Sequence, residues 1–396
     1  MTRDGIAIVG GAGHVGLPLA IAFADRGHRV LVYDTNPAAV ETILAGELPF
    51  AEDGAVEPLR AALAAGRLTA STDPAGVADV DAVVVVIGTP VDEHLNPDPD
   101  AVPRAISQIA PSLRDGQLLV LRSTVYPGVT ANVERLLDGL GLSLDVAFCP
   151  ERIAEGRAMT ELYALPQLVG ARTDAASARA SKLFASLTDT VVPLTPEEAE
   201  LAKLFTNTWR YIKFAAANQF YVMANDHGLD FERIRTALAT DYPRAADMPG
   251  AGFAAGPCLF KDTMQLAAFT DNTFVLGHAA MLVNEGLPLY VVSRLERRWN
   301  LATTRVGVLG MAFKGESDDT RSSLAYKLRR ILRFRAQQVL CTDPYVTTDP
   351  TLVSEEEVLA GSDVLVIAAP HTRYATLATD LPVVDVWNLR GAGTVI

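Results

Sequence analysis

Cysteine is scarce in this chain: Cys149, Cys258 and Cys341 are three in 396 residues, odd in number and widely spaced. That argues against a disulfide framework and against a zinc cluster, so no metal is expected. Positive charge is also short, 34 Lys and Arg against 47 Asp and Glu, for a net charge of −13. An acidic chain is a poor electrostatic match for nucleic acid or an anionic membrane surface. Neither is expected as a partner, and any anionic ligand must be held by local basic groups and backbone amides. No unbroken apolar run approaches a membrane span, and the run in MTRDGIAIVGGAG is too short for a secretory leader. The cytoplasm is therefore the expected compartment. Short-period repeats and low-complexity tails are missing as well. What remains is a chain that is 49% apolar, long enough for two or three domains with ample core.

The pattern along the chain is α/β. IAIVG (6–10) reads as a strand, VGLPLAIAFADRG as a helix closed by Gly27, and HRVLVYD (28–34) as the next strand. DAVVVVIGTP (81–90), QLLVLRST (117–124) and LDVAFCPE (144–151) are continuous apolar strands, as a parallel sheet covered on both faces requires. Residues 1–195 read as one doubly wound domain. The period then changes: 195–228 is a long helical pattern, with Thr195 and Glu198 as a capping box and Gly228 as a stop. Further helical patterns run through 278–299, completing a helical middle region over 196–300. TRVGVLGMAFK (304–314), QQVLCTDP (337–344), DVLVIAAP (363–370) and VVDVWN (383–388) make a second α/β domain over 301–396. The expected fold is two Rossmann-like domains joined by a long central helix.

Several groups of residues carry chemistry. Gly11, Gly13 and Gly16, with Ala12, His14 and Val15 between them, follow a strand and open a helix, the context of a dinucleotide fingerprint. The glycines permit a tight turn and close approach of a pyrophosphate at the helix N-terminus. Asp34, ending the second strand, is placed to accept from a ribose 2′-hydroxyl and would repel a 2′-phosphate, which favours NAD over NADP. Cys258 stands in GFAAGPCLFKD, where Gly, Pro and Ala surround it and Lys261 lies three residues on. Buried cysteines are ordinarily small hydrophobes, the reading given to Cys149 and Cys341; Cys258 also reads as a nucleophile toward a carbonyl. Lys203 and Asn207 share one helical face, either as solvated surface or as an ammonium and amide that stabilise an oxyanion. Glu151 and Glu155 in CPERIAEG would share a face if that turn is helical, and Ser123-Thr124 stands at another strand end, where open α/β sheets bind ligand.

These pieces occur together and in order in the UDP-glucose/GDP-mannose dehydrogenases, which the chain resembles over almost its whole length. The resemblance rests on GAGHVGLPLA, RSTVYPGVT, CPERIAEG, ELAKLFTN, GFAAGPCLFKD and MAFKGESDDTRSS. It implies an NAD-dependent, four-electron oxidation of a nucleotide-sugar C6 alcohol to the acid, with a UDP-hexose such as UDP-glucose expected first. UDP-N-acetylhexosamine and GDP-mannose are the alternatives. It further implies that Cys258 captures the aldehyde as a thiohemiacetal that becomes a thioester. Lys203 and Asn207 match the oxyanion and proton-moving positions, Asp262 a proton-handling carboxylate, and Thr124 and Glu151 the holders of the catalytic water. Cofactor contacts are implied at the fingerprint, Asp34, Thr89, Ser123, Thr124, Glu155, Lys261 and Arg321. Sugar-nucleotide contacts are implied at Glu151, Arg152, Ile153, Glu155, Lys203, Asn207, Phe253, Gly256, Phe313 and Lys314. Arg244 resembles a residue reaching across a homodimer built on the central helix.

The chain departs from the family pattern in three places, one of them PHTRYA (370–375), which differs from the acidic or aromatic segment often found there. FAAGPC stands where many members carry glycines around the cysteine, and Trp387 in DVWN replaces an expected phosphate-binding arginine, for which Arg373 or Arg390 would have to substitute. Two rivals make different demands. A two-electron β-hydroxyacid dehydrogenase would need the helix lysine but not Cys258, and a non-catalytic NAD and nucleotide-sugar binder would not need the catalytic set at all.

Overall fold

A computed structural model describes residues 5–89, 91–92 and 97–396; Met1 and Pro90, within the N-terminal and third-strand readings, lie outside them. The chain divides into two compact units, 1–206 and 207–396, and the division falls inside one continuous helix, Pro196–Asp226.

The first unit is built on eight strands: β1 (Ile6–Val9), β2 (Val30–Tyr33), β3 (Leu68–Ser71), β4 (Ala82–Val85), β5 (Leu118–Leu121), β6 (Asp145–Phe148), β7 (Gln167–Ala171) and β8 (Val191–Leu194). Their order is β3-β2-β1-β4-β5-β6-β7-β8. All neighbours are parallel except β6 and β7, which run antiparallel. Alternation sends Ile6 and Ile8 of β1 to one core and Ala7 and Val9 to another, so both faces are covered. The sequence reading supplied β1, β2, β4, β5 and β6 but not β3, β7 or β8. Edge strand β8 carries Pro193, whose missing N–H is tolerated there, and its residues are half-buried or exposed.

The second unit has a parallel sheet of β9 (Arg305–Leu309), β10 (Gln338–Thr342), β11 (Val364–Ile367) and β12 (Val383–Val384), ordered β10-β9-β11-β12. The reversal of direction between β9 and β11 is the switch point at which such sheets bind ligand. Val306 and Val308 join a core with Tyr221 and Ala224 of the long helix and with Leu287, Val291 and Leu295 of the helix Val275–Arg298. By length and composition alone that 24-residue helix is apolar enough to cross a membrane, although His278, Asn284, Glu285 and Arg294 break its apolar run. Leu287, Val291, Val292 and Leu295 go into this core, whereas Leu276, Leu282 and Leu289 are exposed.

The long helix begins as the capping box foretold. Thr195 N–H donates to Glu198 Oε2 at 2.8 Å, and Glu198 N–H donates to Thr195 Oγ1 at 3.3 Å. It runs 31 residues to Asp226, and Gly228 follows with φ +69°, the left-handed turn that glycine accepts without penalty.

Candidate active site

In the first unit the fingerprint glycines divide their work. A Cβ on Gly11 would lie 2.7 Å from the Ile8 carbonyl, and one on Gly16 would lie 2.7 Å from the Cα of Gly11. These two glycines let strand, turn and helix pack backbone to backbone. A Cβ on Gly13 would meet nothing nearer than 3.9 Å, so this glycine faces open space beside the N-terminus of the helix Gly16–Asp25. That space, with its amides, suits a pyrophosphate. Val15 caps the helix without a side-chain hydrogen bond. Asp34 accepts from Ala12 N–H at 3.0 Å through Oδ2, which ties the second strand's acid to the fingerprint turn. His14 stacks on Phe50, with ring centroids 4.1 Å apart, and its Nε2 lies 3.7 Å from Glu155 Oε1.

At the ends of β4 and β5, Thr89 Oγ1 donates to the Thr124 carbonyl at 2.5 Å and Ser123 Oγ accepts from Ile87 N–H at 2.8 Å. The two strand ends are thus locked in one register. Glu151 and Glu155 do not share a helical face, because 151–154 is irregular and 155–156 is a turn; this corrects the conditional helical reading. Glu151 instead pairs with Arg122, which is 2% exposed and donates from Nε to Glu151 Oε2 at 2.9 Å. The other carboxylate oxygen accepts from the backbone of Arg152 at 2.6 Å and of Ile153 at 2.9 Å. Arg122 also reaches the Cys149 carbonyl and Gln167 Oε1. Sequence reasoning passed over this arginine, since nothing in LRST marks a side chain that turns inward under the sheet end. Arg152 donates to the Pro166 carbonyl.

Lys203, at 8% exposure, lies in the last turn of the first unit's part of the long helix, one turn before Asn207. The solvated-surface reading of that pair does not hold, because Asn207 too is only 5% exposed.

In the second unit Cys258 is exposed and caps the helix Leu259–Phe269. The partial positive charge of that helix end lies where an anion on sulfur or on a substrate oxygen is stabilised. Asp262, one turn on, is fully buried and accepts from Asn207 Nδ2 at 2.6 Å. Lys261 Nζ lies 2.7 Å from Asp262 Oδ1 in an ion pair, although neither atom has a well-angled hydrogen bond. The ammonium therefore faces the buried carboxylate. Asn207, Asp262 and Lys261 are a charged cluster at the base of the cysteine helix.

The loop that delivers Cys258 is held from several sides. Gly252 N–H donates to Asn218 Oδ1 at 2.9 Å and its carbonyl accepts from Asn218 Nδ2 at 3.0 Å. Asn218 Nδ2 also donates to Asn284 Oδ1 at 2.9 Å, and Asn284 Nδ2 to the Tyr211 carbonyl at 3.1 Å. Both asparagines are wholly buried, and neither stood out in the sequence. Gly256 has φ +101°, and a Cβ there would lie 2.6 Å from the Phe313 ring. Phe313 follows β9, and its N–H donates to the Asp319 carbonyl at 2.9 Å.

Asp343, at the end of β10, holds the turn after β9 as Asp34 holds the fingerprint. It accepts from Met311 N–H at 2.6 Å, Ala312 N–H at 3.0 Å and His371 Nε2 at 3.0 Å. Burial pushes its carboxyl up, but the His371 hydrogen bond and charge and the backbone donors outweigh this and hold it at about 2. His371 Nδ1 accepts from Glu316 N–H at 3.0 Å, which places this imidazole between the ends of β10 and β11 and the segment that carries Phe313 and Lys314. Arg321 pairs with Asp319, at 2.6 Å from Nη2. Of the proposed substitutes for the missing arginine, Arg373 pairs with Glu355 and Arg390 donates to the Leu377 carbonyl. Arg244 is exposed, over the Tyr242 ring.

Residues 5–188 match the NAD binding domain of the UDP-glucose/GDP-mannose dehydrogenase family, 197–285 its central domain and 307–390 its UDP binding domain. The chain is 32% identical over 385 residues to the UDP-N-acetyl-D-mannosamine dehydrogenase of Pyrococcus horikoshii, covering 94% of this chain and 90% of that one. It is 31% identical over 402 residues to the enzyme of that name from Escherichia coli K12, covering 93% and 94%. Among solved structures, the UDP-D-ManNAc dehydrogenase of Pyrococcus horikoshii and a UDP-glucose dehydrogenase of Pyrobaculum islandicum each superpose with a TM-score of 0.90 at 30% identity. They cover 97% of this chain and 95% and 94% of theirs. This NAD-binding chain is therefore a nucleotide-sugar dehydrogenase, a member of the UDP-glucose/GDP-mannose dehydrogenase family.

Proposed function

We propose that the chain oxidises the C6 alcohol of a UDP-N-acetylhexosamine, UDP-N-acetylmannosamine first, to the corresponding uronic acid. The observation that carries this choice is that relatives matching over more than nine-tenths of the chain are named UDP-N-acetyl-D-mannosamine dehydrogenases. UDP-glucose, the substrate expected first, gives way to that alternative. The fold does not choose between them, because a UDP-glucose dehydrogenase superposes equally well.

NAD suits the fingerprint on two counts, the open face above Gly13 and the carboxylate of Asp34 at the second strand end. When bound it supplies the hydride acceptor for both oxidations. The protein's own groups do the rest. The Cys258 sulfur adds to the aldehyde carbon and the carbonyl oxygen takes up a proton, giving a thiohemiacetal. Its carbon again carries a hydride to lose, and losing it together with the hydroxyl proton leaves a thioester. Water attacks the thioester, the C–S bond breaks, and acid and thiol are released. Lys203 and Asn207 serve the oxyanion, and Asp262, hydrogen-bonded to Asn207, takes part in the proton transfers. Thr124 and Glu151 hold the hydrolytic water. A homodimer is part of this reading: Phe205, Trp209, Phe220 and Met223 form one exposed apolar stripe on the long helix. Arg244 would then reach the partner's substrate.

UDP-N-acetylmannosamine, UDP-N-acetylglucosamine, UDP-glucose and GDP-mannose are compared by NADH formation. UDP-N-acetylmannosamine is expected to give the highest kcat/KM, with two NADH per sugar, and Cys258→Ala to abolish uronate while NAD still binds. A higher kcat/KM on UDP-glucose would overturn the substrate assignment, and native-rate uronate from Cys258→Ala the covalent one.

A further inference from the structure

Trp387 occupies the place of an expected phosphate-binding arginine, yet its indole does not face outward as a ligand group would. A Cβ on Gly252 would lie 2.2 Å from Cε3 and Cζ3 of the Trp387 ring, so the ring lies directly against the glycine backbone. The Phe253 ring meets it edge to face, with centroids 6.3 Å apart and planes at 75°. Its Nε1 is buried with no hydrogen-bond partner. A buried donor left unpaired costs stability, so the indole is held there by packing. The turn that presents it is itself fixed: Asp385 accepts from Trp387 N–H at 3.2 Å and from Arg390 N–H at 2.8 Å.

Gly252 is thus clamped between the Asn218 amide on one side and the Trp387 indole on the other. Four residues later Gly256 is covered by the Phe313 ring, and two residues after that comes Cys258. Phe313 and Trp387 follow β9 and β12, and both fall within the stretch that matches the UDP binding domain. The sheet that matches a nucleotide-binding domain therefore carries the two rings that press on the cysteine's loop.

We propose that Trp387 is a positioning residue for Cys258: it ties the loop at Gly252 to the nucleotide-binding sheet, so that the sulfur is held ready when the aldehyde forms. This rests on the covalent role of Cys258, which the native two-NADH stoichiometry and the Cys258→Ala variant test separately. Loss of the indole leaves a void against Gly252 and Phe253 and loosens the loop, and displacement of a reacting group by about 1 Å lowers rate on the order of a hundredfold. Because the ring packs against the loop, the loss is expected in kcat rather than in affinity for UDP.

In Trp387→Ala, kcat is expected to fall by at least about tenfold, with NADH per sugar consumed dropping below two. Free sugar aldehyde should be trapped by an added hydroxylamine, while the dissociation constant for UDP is retained. Trp387→Phe should restore most of the stoichiometry. Gly252→Ala supplies a second measurement, since its added methyl meets the indole in the native background and a void in Trp387→Ala. It should cost more activity in the former than in the latter. Unchanged kcat and stoichiometry in Trp387→Ala, weakened UDP binding with kcat retained, or additive losses in the cycle would each overturn the proposal. Should Trp387→Ala fail to fold, Trp387→Leu takes its place: native kcat with no trapped aldehyde overturns the proposal, and a lowered kcat with aldehyde release and UDP affinity retained supports it.

Discussion

Replacing Asn218 with Ala tests the claim that a buried amide on the long helix anchors the cysteine loop. The substitution strips the Gly252 N–H and carbonyl of their side-chain partner and takes a donor from Asn284 Oδ1. Asn218, Asn284 and Gly252 are buried, so bulk water does not replace these bonds. Each buried polar group left unpaired costs roughly 1–3 kcal/mol, and partial relaxation or one trapped water reduces the total to about 3 kcal/mol. For a unit of this size that lowers Tm by roughly 6–12 °C. Asn218→Asp sharpens the test. It keeps shape and an acceptor for Gly252 N–H, but turns an oxygen on the Gly252 carbonyl and Asn284 Oδ1, so it should destabilise at least as much. Thermal unfolding by circular dichroism, with NADH formation measured well below Tm, reads both effects. Activity should fall alongside stability because Gly252 is the loop's tether. If both variants melt within about 2 °C of the native protein, a cost under roughly 1 kcal/mol, the amide is not a tether.

Two further outcomes are expected. Asp343 has its carboxyl held at about 2, below its ordinary 3.8, by His371 and backbone donors working against burial. A depressed carboxylate stabilises the fold above its unfolded value and loses that contribution as pH falls from about 4 to about 2, a swing of about 2 kcal/mol. The acid transition should therefore move to higher pH in His371→Leu, and an unmoved transition would show that His371 does not hold Asp343. Burial pushes the Cys149 thiol up to about 12 and Cys341 to about 11, whereas Cys258 is exposed. Iodoacetamide at pH 8 should label Cys258 alone, in step with inactivation. Labelling of a second thiol before unfolding, or full activity after Cys258 is labelled, would contradict this.

How far the chain can be read without its fold varies by element. The strand β1, the glycine turn and the acid at the end of β2 were legible because their requirements are local: tight turn, close helix and a carboxylate one strand away. The long helix was legible from its period and its cap, Thr195 with Glu198. Strands β3 and β8 were not, being partly exposed or carrying Pro193; β7, buried at four of its five positions, was passed over although QLVGA is largely apolar. Among site residues, Cys258, Lys203 and Asn207 stood out by type and spacing, and Asp262 through the family resemblance. Arg122, Asn218, Asn284 and His371 did not, because their partners lie 29, 34, 66 and 28 residues away. Asp343 was the one missed residue with a signal, since VLCTDP repeats the strand-ending acid of VLVYD.

By itself, then, the sequence determined the α/β class, the NAD fingerprint, the order of the catalytic motifs and the presence of a cysteine in a glycine-rich loop. Each depends on backbone freedom and side-chain type within a few residues. Only the tertiary structure decided what Trp387 does. Whether an indole faces a ligand or packs on Gly252 depends on two segments separated by 135 residues meeting at one point, and no local preference encodes that meeting.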